Sequence, residues 1–242
     1  MKYAIIAAGE GSRLAEEGVR EHKPMVTVNG ERLIDRLIRL FADNGAESIA
    51  VAYRRGMPDV AARLAGIRQD GIGGRRVNIE AVEACTPSSM HSMYAISQLL
   101  TDGPFCLTTV DTVFGEEAFR RYADTLKACM TDGTADGVMA VTDYIDDEKP
   151  LYVATDDDMN ITAFTDEPCG SKYVSAGVYG LKPQAVDVLR RCMERGESRM
   201  RNFQRALLRE GMRLKAFDIG KAFDIDHADD IIKAERFLSI NA

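Results

Sequence analysis

Four residues near the start of the chain combine a permissive backbone with positive charge. Gly9 and Gly11 lie in the stretch GEGSR directly after an apolar run, Arg13 follows them, and Lys23 precedes a proline. Glycines let backbone amides approach a phosphate closely. Arginine and lysine supply the charge that phosphate oxygens need. These residues therefore predict a site that holds the phosphates of a nucleotide.

The same glycines raise the alternative of dinucleotide binding. That fingerprint is Gly-x-Gly-x-x-Gly, followed about 20 residues later by an acid at the end of the second strand. Here Leu14 stands in place of the third glycine, and Glu31, at about the right distance, comes before a predicted helix. Both departures disfavour an NAD-linked oxidoreductase.

An aspartate at the end of a predicted strand is a candidate metal ligand. Asp111 follows the apolar stretch FCLTTV, at the position where open α/β sheets bind their ligands. Carboxylates are hard oxygen ligands that suit Mg²⁺. The sequence offers few candidate zinc ligands, because the five cysteines are widely spaced and there are only three histidines.

The elements that must position these residues alternate between strand and helix. In the first half, apolar runs predict strands at 2–8, 47–53, 75–84 and 103–110. Helical spacing predicts helices between them at 30–46, 58–67 and 90–100. In the second half we expect strands at 135–144, 151–156, 160–166, 172–181 and 213–219. The helices expected there are 116–130, 183–196, 199–211 and 227–239.

This alternation predicts an α/β fold, a three-layer Rossmann-like domain with a mostly parallel central sheet. We expect a single domain over residues 1–242. Residues 1–112 would form the nucleotide-binding half, and residues 113–242 would form the acceptor-binding half and supply the second metal ligand.

Composition narrows the class of protein further. The formal net charge is −7, whereas a general nucleic-acid binder is usually basic. The first apolar run is too short for a signal peptide, and no run of about 18 apolar residues predicts a membrane span. We therefore expect a cytoplasmic protein with reduced thiols that binds neither nucleic acid nor membrane; the oligomeric state stays open.

The segment IIAAGEGSRL, continued by HKPMVTVNGERLIDRLI, resembles the N-terminal signature of sugar nucleotidyltransferases and their MobA-like and cytidylyltransferase relatives. That signature is a Gly-x-Gly-x-Arg loop, then Lys-Pro, then Asn-Gly opening a helix. The resemblance implies the nucleotide-diphospho-sugar transferase fold. It also implies Mg²⁺-dependent transfer of a nucleoside monophosphate from a nucleoside triphosphate to a phosphorylated small-molecule acceptor, with release of pyrophosphate. The acceptor would be a sugar 1-phosphate or a phospho-alcohol.

The resemblance also assigns roles by position. Arg13 and Lys23 would be catalytic, and Asp111 and Asp226 would bind Mg²⁺. Asp226 is implied by AFDIDHADDIIKAERFL, which is similar to the family segment that opens the last helix, and Asp224 is the alternative. The segment EACTPSSMHSMYAI is similar to the choline-phosphate cytidylyltransferase branch of the family. The implied nucleotide-binding residues are Ala7, Ala8, Gly9, Gly11, Ser12, Arg13, Lys23, Ser88 and Ser89.

The acceptor side of the resemblance is less complete. The strand KYVSAGVYGL resembles the family's strand beside the acceptor, with Ser175 where asparagine is frequent. The family's Glu-Lys-Pro motif lacks its lysine here, and Lys172 is expected to replace it. The implied acceptor-binding residues are Glu167, Lys172, Ser175 and Gly177. The altered motif leaves open a non-catalytic nucleotide or sugar-nucleotide sensor, although a sensor need not keep both metal carboxylates.

Overall fold

Thirteen strands and eight α-helices follow one another along residues 1–240, the part of the chain that the computed structural model describes. The strands are β1 (Lys2–Ala7), β2 (Thr27–Val28), β3 (Glu31–Arg32), β4 (Ser48–Arg54), β5 (Ile79–Ala84), β6 (Phe105–Thr109), β7 (Thr112–Phe114), β8 (Gly137–Thr142), β9 (Tyr152–Thr155), β10 (Ile161–Thr165), β11 (Tyr173–Leu181), β12 (Leu214–Asp218) and β13 (Ala222–Asp224). The helices are α1 (Ser12–Glu16), α2 (Leu33–Asp43), α3 (Pro58–Asp70), α4 (Ser89–Ile96), α5 (Glu116–Asp132), α6 (Gln184–Glu194), α7 (Met200–Arg209) and α8 (Ala228–Ile240).

Nine of the strands form one central sheet. Seven of them lie in the order β10-β9-β11-β6-β1-β4-β5, and β8 joins β11 to β12. The four strands β6, β1, β4 and β5 are parallel, so their carboxyl ends lie at one edge. Strand β11 runs antiparallel to β6, β8 and β9. The predicted α/β fold is confirmed, with its antiparallel pairs contributed by the second half of the chain.

Helices cover both faces of this sheet because the strand side chains alternate. Tyr3 and Ile5 of β1 pack in one buried cluster with apolar residues of α2, α3 and α5. Ala4 and Ile6 of the same strand pack in a second cluster with α4, α6 and α7. This alternation of successive side chains gives the three layers that the sequence predicts. No helix in residues 1–240 has the length and apolar character needed to cross a membrane.

A short hairpin corrects the predicted start of the second helix. The chain from Lys23 enters β2, turns at Asn29 and Gly30, and returns in β3 before α2 begins at Leu33. Asn29 and Gly30 both have positive φ (50° and 79°), as a tight Asn-Gly hairpin turn requires. The prediction of helix from residue 30 was therefore wrong for residues 30–32, although an Asn-Gly pair is typical of a hairpin turn.

A second small sheet joins the middle of the chain to its last quarter. Strand β7 pairs with β13, so that Thr112 lies opposite Asp224. Gly177 of β11 lies against this pair with φ of +71°, where the register of β11 shifts. A Cβ at Gly177 would lie 2.9 Å from Thr112 Oγ1. The close approach of these strands brings the segments after β6 and β13 together.

We predict that Gly180→Ala destabilises the fold, because the packing of α5 on β11 leaves no room for a methyl group. The added Cβ would lie 2.4 Å from Leu126 Cδ1 and 2.8 Å from the Tyr122 hydroxyl. We expect the free energy of unfolding in urea to fall by about 2 kcal/mol. The matched control is Gly66→Ala in α3, where nothing lies within 4 Å of the added Cβ. This substitution should raise the free energy of unfolding by about 0.5–1 kcal/mol. Equal effects of the two variants would contradict this view of the packing.

Candidate active site

The loop after β1 brings the glycine motif to the carboxyl edge of the sheet. Ala7 and Ala8 are buried as the strand ends, and Gly11 adopts φ of +66° just before α1. A Cβ at Gly11 would lie 3.3 Å from the Cβ of Lys23, so the loop and the Lys23 segment are in close contact. Glycine relieves both constraints, since it tolerates positive φ and has no side chain. Ser12 follows as the first residue of α1.

Lys23 is the centre of a charged cluster that it forms with Arg13, Asp111 and Asp226. It lies in a short 3₁₀ turn, Lys23–Met25, in which Pro24 fixes the backbone. Its Nζ is 2.5 Å from Asp111 Oδ2 and 2.7 Å from Asp226 Oδ1. Burial of this side chain would lower its pKa, but the two carboxylates raise the pKa above its ordinary value. Lys23 is therefore charged at neutral pH and joins two segments far apart in sequence.

Asp226 is held by both its side chain and its backbone. Its Oδ2 also accepts a hydrogen bond from Arg13 Nη1 at 3.0 Å. Its backbone N–H, and that of His227, donate to the buried Asp230 carboxylate of α8. This arrangement is a form of the capping box, in which an acid in the first turn satisfies free amides before the helix. The start of α8 thus fixes where the Asp226 carboxylate lies.

Asp224 occupies a different environment from Asp226. Its Oδ1 accepts a hydrogen bond from Thr112 Oγ1 at 2.8 Å. Asp224 is an exposed residue, yet protein atoms surround its carboxyl group closely. This desolvation, together with the charge of Asp111, raises the pKa of Asp224 to about 7. Arg13 and Lys23 contact Asp226 rather than Asp224, which favours Asp226 as the partner of Asp111 in the charged cluster.

A cavity of about 590 Å³ opens over the carboxyl ends of the parallel strands. Eleven of the sequence-predicted site residues line it. They are the nucleotide-binding residues Ala7, Ala8, Gly9, Gly11, Ser12, Arg13, Lys23, Ser88 and Ser89, together with Asp111 and Asp226. The structure therefore brings these eleven residues together from five separate segments of the chain.

A second cavity of about 440 Å³ adjoins the first, and the two share Arg13 and Asp226. Its walls come mainly from the second half of the chain. Ser175 and Gly177 line it, as predicted for the acceptor side, and the Ser175 hydroxyl donates to Gln204 at 3.2 Å. A molecule in the second cavity would meet a molecule in the first at the charged cluster.

Two predicted acceptor residues lie elsewhere. Glu167 is exposed and lines neither cavity. Lys172 lines neither cavity, and its Nζ lies 3.6 Å from Asp143 Oδ2 and 4.8 Å from the centre of the Tyr173 ring. Their contact with an acceptor stays a prediction.

Sequence reasoning missed several residues that line the cavities. Glu10 and Arg54 form an ion pair in the first cavity, and Thr86 lies beside them on its wall. Lys149 and Lys233 line the second cavity. Glu10 stands within the quoted glycine motif and could have been noted there. Arg54 at the end of β4 could have been found from its position at a strand terminus.

The charged cluster suits a magnesium ion that uses phosphate oxygens as well as protein. Asp111 and Asp226 would hold such an ion. Oδ1 of Asp111 is buried and has no hydrogen-bond partner, so it is free to act as a ligand. Within residues 1–240 no group of three or more His, Cys, Asp or Glu side chains forms a metal site. One or two carboxylates with waters and substrate phosphates are what Mg²⁺ commonly uses.

Comparison with known proteins agrees with this architecture. Of solved structures, the inositol-1-phosphate CTP transferase of T. maritima is similar with a TM-score of 0.77 at 18% identity, over 98% of this chain and 97% of the other. A UDP-glucose pyrophosphorylase complexed with UDP-glucose is similar with a TM-score of 0.79 at 16% identity, over 98% of both chains. At such low identity these similarities show the fold. No curated protein matches the sequence significantly.

The family itself is shown by a match along almost the whole sequence. Residues 2–240 match the model of the nucleotidyl transferase family. The match includes the glycine loop, the Lys-Pro turn and both aspartates of the charged cluster. This chain belongs to the nucleotidyl transferase family and is a nucleotidyltransferase.

Proposed function

We propose that this enzyme transfers a nucleoside monophosphate from a nucleoside triphosphate to a phosphorylated small molecule, with Mg²⁺ bound by Asp111 and Asp226. The observation that carries the proposal is the position of the charged cluster where the two cavities meet. The first cavity would hold the triphosphate, and the second would hold a sugar 1-phosphate or a phospho-alcohol. The first half of the chain would thus bind nucleotide, and the second would bind the acceptor and supply Asp226.

The reaction needs positioning more than proton transfer. An ionised oxygen of the acceptor phosphate attacks the α-phosphorus, and the bond from that phosphorus to the β-phosphate oxygen breaks, releasing pyrophosphate. Because the nucleophile is already ionised at neutral pH, no general base is required. Mg²⁺ would neutralise phosphate charge and help to align the two reactants. Holding the reactants in line and neutralising their charge are the main contributions in such transfers.

Arg13 and Lys23 would neutralise the phosphates directly. Without substrate, both are paired with Asp226, and Lys23 is also paired with Asp111. The binding of a magnesium–nucleotide complex would give these cations phosphate oxygens as partners and would free the carboxylates for the ion. The same four side chains can therefore be satisfied with and without substrate, and no charge needs to be left buried alone.

The second cavity offers a cation for the acceptor phosphate. Lys233 is paired with Asp230 and Asp146 at 3.0 and 3.2 Å. The Lys149 side chain, in contrast, has no hydrogen-bond or ion-pair partner within residues 1–240. Its backbone carbonyl accepts a hydrogen bond from Arg201, which holds the loop in place. Lys149 is thus better placed than Lys172 to contact the acceptor phosphate.

The activity is tested by pyrophosphate release with Mg²⁺, five nucleoside triphosphates and a panel of sugar 1-phosphates and phospho-alcohols. We predict that Asp111→Asn and Asp226→Asn each lower kcat/KM by about 100-fold or more, because each removes a ligand for the ion. Asp102→Asn is the matched control, since Asp102 is exposed and pairs with Lys2 away from both cavities. Turnover by the Asp111 variant at the native rate would contradict the proposed role. Nucleotide binding without turnover would favour the sensor.

Metal binding is predicted to depend on nucleotide. Lys23 and Arg13 already balance the charge of the two carboxylates, and the ion needs phosphate oxygens to complete its ligands. We expect Mg²⁺ alone to raise the Tm little, and Mg²⁺ with the preferred triphosphate to raise it by several degrees. The increase should be lost with EDTA and greatly reduced in Asp226→Asn. An equal increase with nucleotide alone would show that the ion is not part of the complex.

The two lysines make separate predictions for the acceptor. We expect Lys149→Gln to raise the KM for the acceptor about 10-fold and to leave the KM for the triphosphate nearly unchanged, because it removes one charge–phosphate contact. Lys172→Gln should change neither constant more than twofold. Steady-state kinetics with each substrate varied in turn measures both. The reverse result would assign the acceptor phosphate to Lys172.

A further inference from the structure

A carboxylate outside both cavities connects the segment after the glycine loop to the last helix. Glu17 directly follows α1, and it lines neither cavity. Its Oε1 lies 2.6 Å from His227 Nδ1, and its Oε2 accepts a hydrogen bond from the backbone N–H of Ala228 at 2.7 Å. These contacts join residues 210 and 211 positions apart, at the point where α8 begins. The proposed reaction assigns Glu17 no role.

Glu17 completes the cap of α8. The Asp230 carboxylate accepts the N–H groups of Asp226 and His227, and the Glu17 carboxylate accepts that of Ala228. The free amides at the start of a helix favour negative charge, so both carboxylates are well placed there. Asp230 belongs to α8 itself, whereas Glu17 comes from the other end of the chain. The segment that carries Asp226 is therefore fixed to α1 as well as to the first turn of α8.

Arg13 and Glu17 contact the start of α8 from the same turn of the chain. The Glu17 N–H donates to the Arg13 carbonyl, and side chains four residues apart lie on one side of a helix. Arg13 contacts Asp226, and Glu17 contacts the two residues that follow it. Among the described residues of α1, Leu14 alone is buried, so this short helix has little apolar anchoring. The two polar contacts with the start of α8 therefore hold α1 in place.

Substrate would break one of these contacts and leave the other. In the proposed magnesium–nucleotide complex, Arg13 contacts phosphate oxygens and Asp226 contacts the ion, so their ion pair is lost. Glu17 contacts neither, and its bonds to His227 and Ala228 can persist. We propose that Glu17 is a positioning residue, which holds α1 against α8 and so keeps Arg13 and Asp226 at the distance that the complex needs. This inference rests on the proposed function for the places of the nucleotide and the ion.

The exposure of this contact separates a positioning role from a general contribution to stability. The side chains of Glu17 and His227 are 40% and 45% exposed, and ion pairs so exposed stabilise a fold little. We therefore expect Glu17→Ala to change the Tm by about 2 °C or less. The same substitution should weaken the binding of a magnesium–nucleotide complex, because Arg13 and Asp226 are no longer held ready for it.

The test first finds which of CTP, GTP, ATP, UTP and dTTP binds the native protein most tightly with Mg²⁺ in the absence of acceptor. We expect Glu17→Ala to raise the Kd of that triphosphate about 10-fold and to lower kcat for pyrophosphate release, with the acceptor KM changed less than about twofold. Glu17→Gln should stay within about threefold of the native Kd, because its amide oxygen can still accept the Ala228 N–H. Glu16→Ala is the matched control, since Glu16 is the adjacent exposed residue and lines neither cavity.

A double variant tests whether Glu17 acts through Arg13. In an Arg13→Gln background, Glu17→Ala should raise the Kd less than about threefold, because the cation that Glu17 positions is already absent. Full additivity of the two effects would show an independent role for Glu17 and would overturn the inference.

The outcomes separate this inference from the proposed function. A Kd unchanged by Glu17→Ala, or a fall in Tm of more than about 5 °C, would overturn the inference while turnover by the native protein upheld the function. The expected rise in Kd without turnover for any acceptor would uphold the inference and count against the function. If no triphosphate binds, both are wrong.

Discussion

The Lys23 ammonium between Asp111 and Asp226 is the interaction on which the arrangement of the site depends. Two carboxylates that share one ammonium partner repel each other, and the positive charge of Lys23 between them offsets that repulsion. Each partner is fixed by a different part of the fold. Lys23 lies in a 3₁₀ turn, Asp111 follows β6, and Asp226 is held by the first turn of α8. The cluster therefore joins the central sheet, the glycine loop and the last helix.

The same cluster divides the cavities and connects them. Arg13 and Asp226 belong to the walls of both, so a group transferred from one cavity to the other would pass the charged cluster. The residues that would contact the nucleotide lie on one side, after β1, β4 and β5. The residues that would choose the acceptor lie on the other, after β8 and along β11. Recognition of the two substrates would thus be spatially separate, although both would react at the same charged cluster.

Sequence predicted the parts of the site that depend on short motifs. Arg13 and Lys23 stand at fixed distances from the glycines, and Asp111 follows an apolar strand, so local pattern was sufficient. The pair of Glu10 and Arg54 was missed because it forms between the ends of two neighbouring strands, which are 44 residues apart. The order of strands in the sheet brings them together, and no motif contains both.

On the acceptor side, the position of a loop residue could not be predicted from sequence either. The sequence points to Lys172 because it lies near an incomplete motif, whereas Lys149 lines the cavity because the chain between β8 and β9 forms part of its wall. The direction of a loop depends on contacts such as that between Arg201 and the Lys149 carbonyl, which sequence spacing does not contain. The large helices and strands, in contrast, followed their apolar periodicity closely.

The distance in sequence between Lys23 and Asp226 has a consequence for biosynthesis. These residues are 203 positions apart, and the pairing of β7 with β13 that brings the later segment into place spans over 100 residues. A growing chain can form the β1–β4–β5 layer early, but the ribosome must release more than nine-tenths of the chain before Asp226 can reach the site. Until then, of these three side chains, Lys23 and Asp111 can form an ion pair only with each other. During synthesis this cluster can therefore be completed only after Asp226 has left the ribosome, and a chain that stalls before β13 lacks one of its two carboxylates.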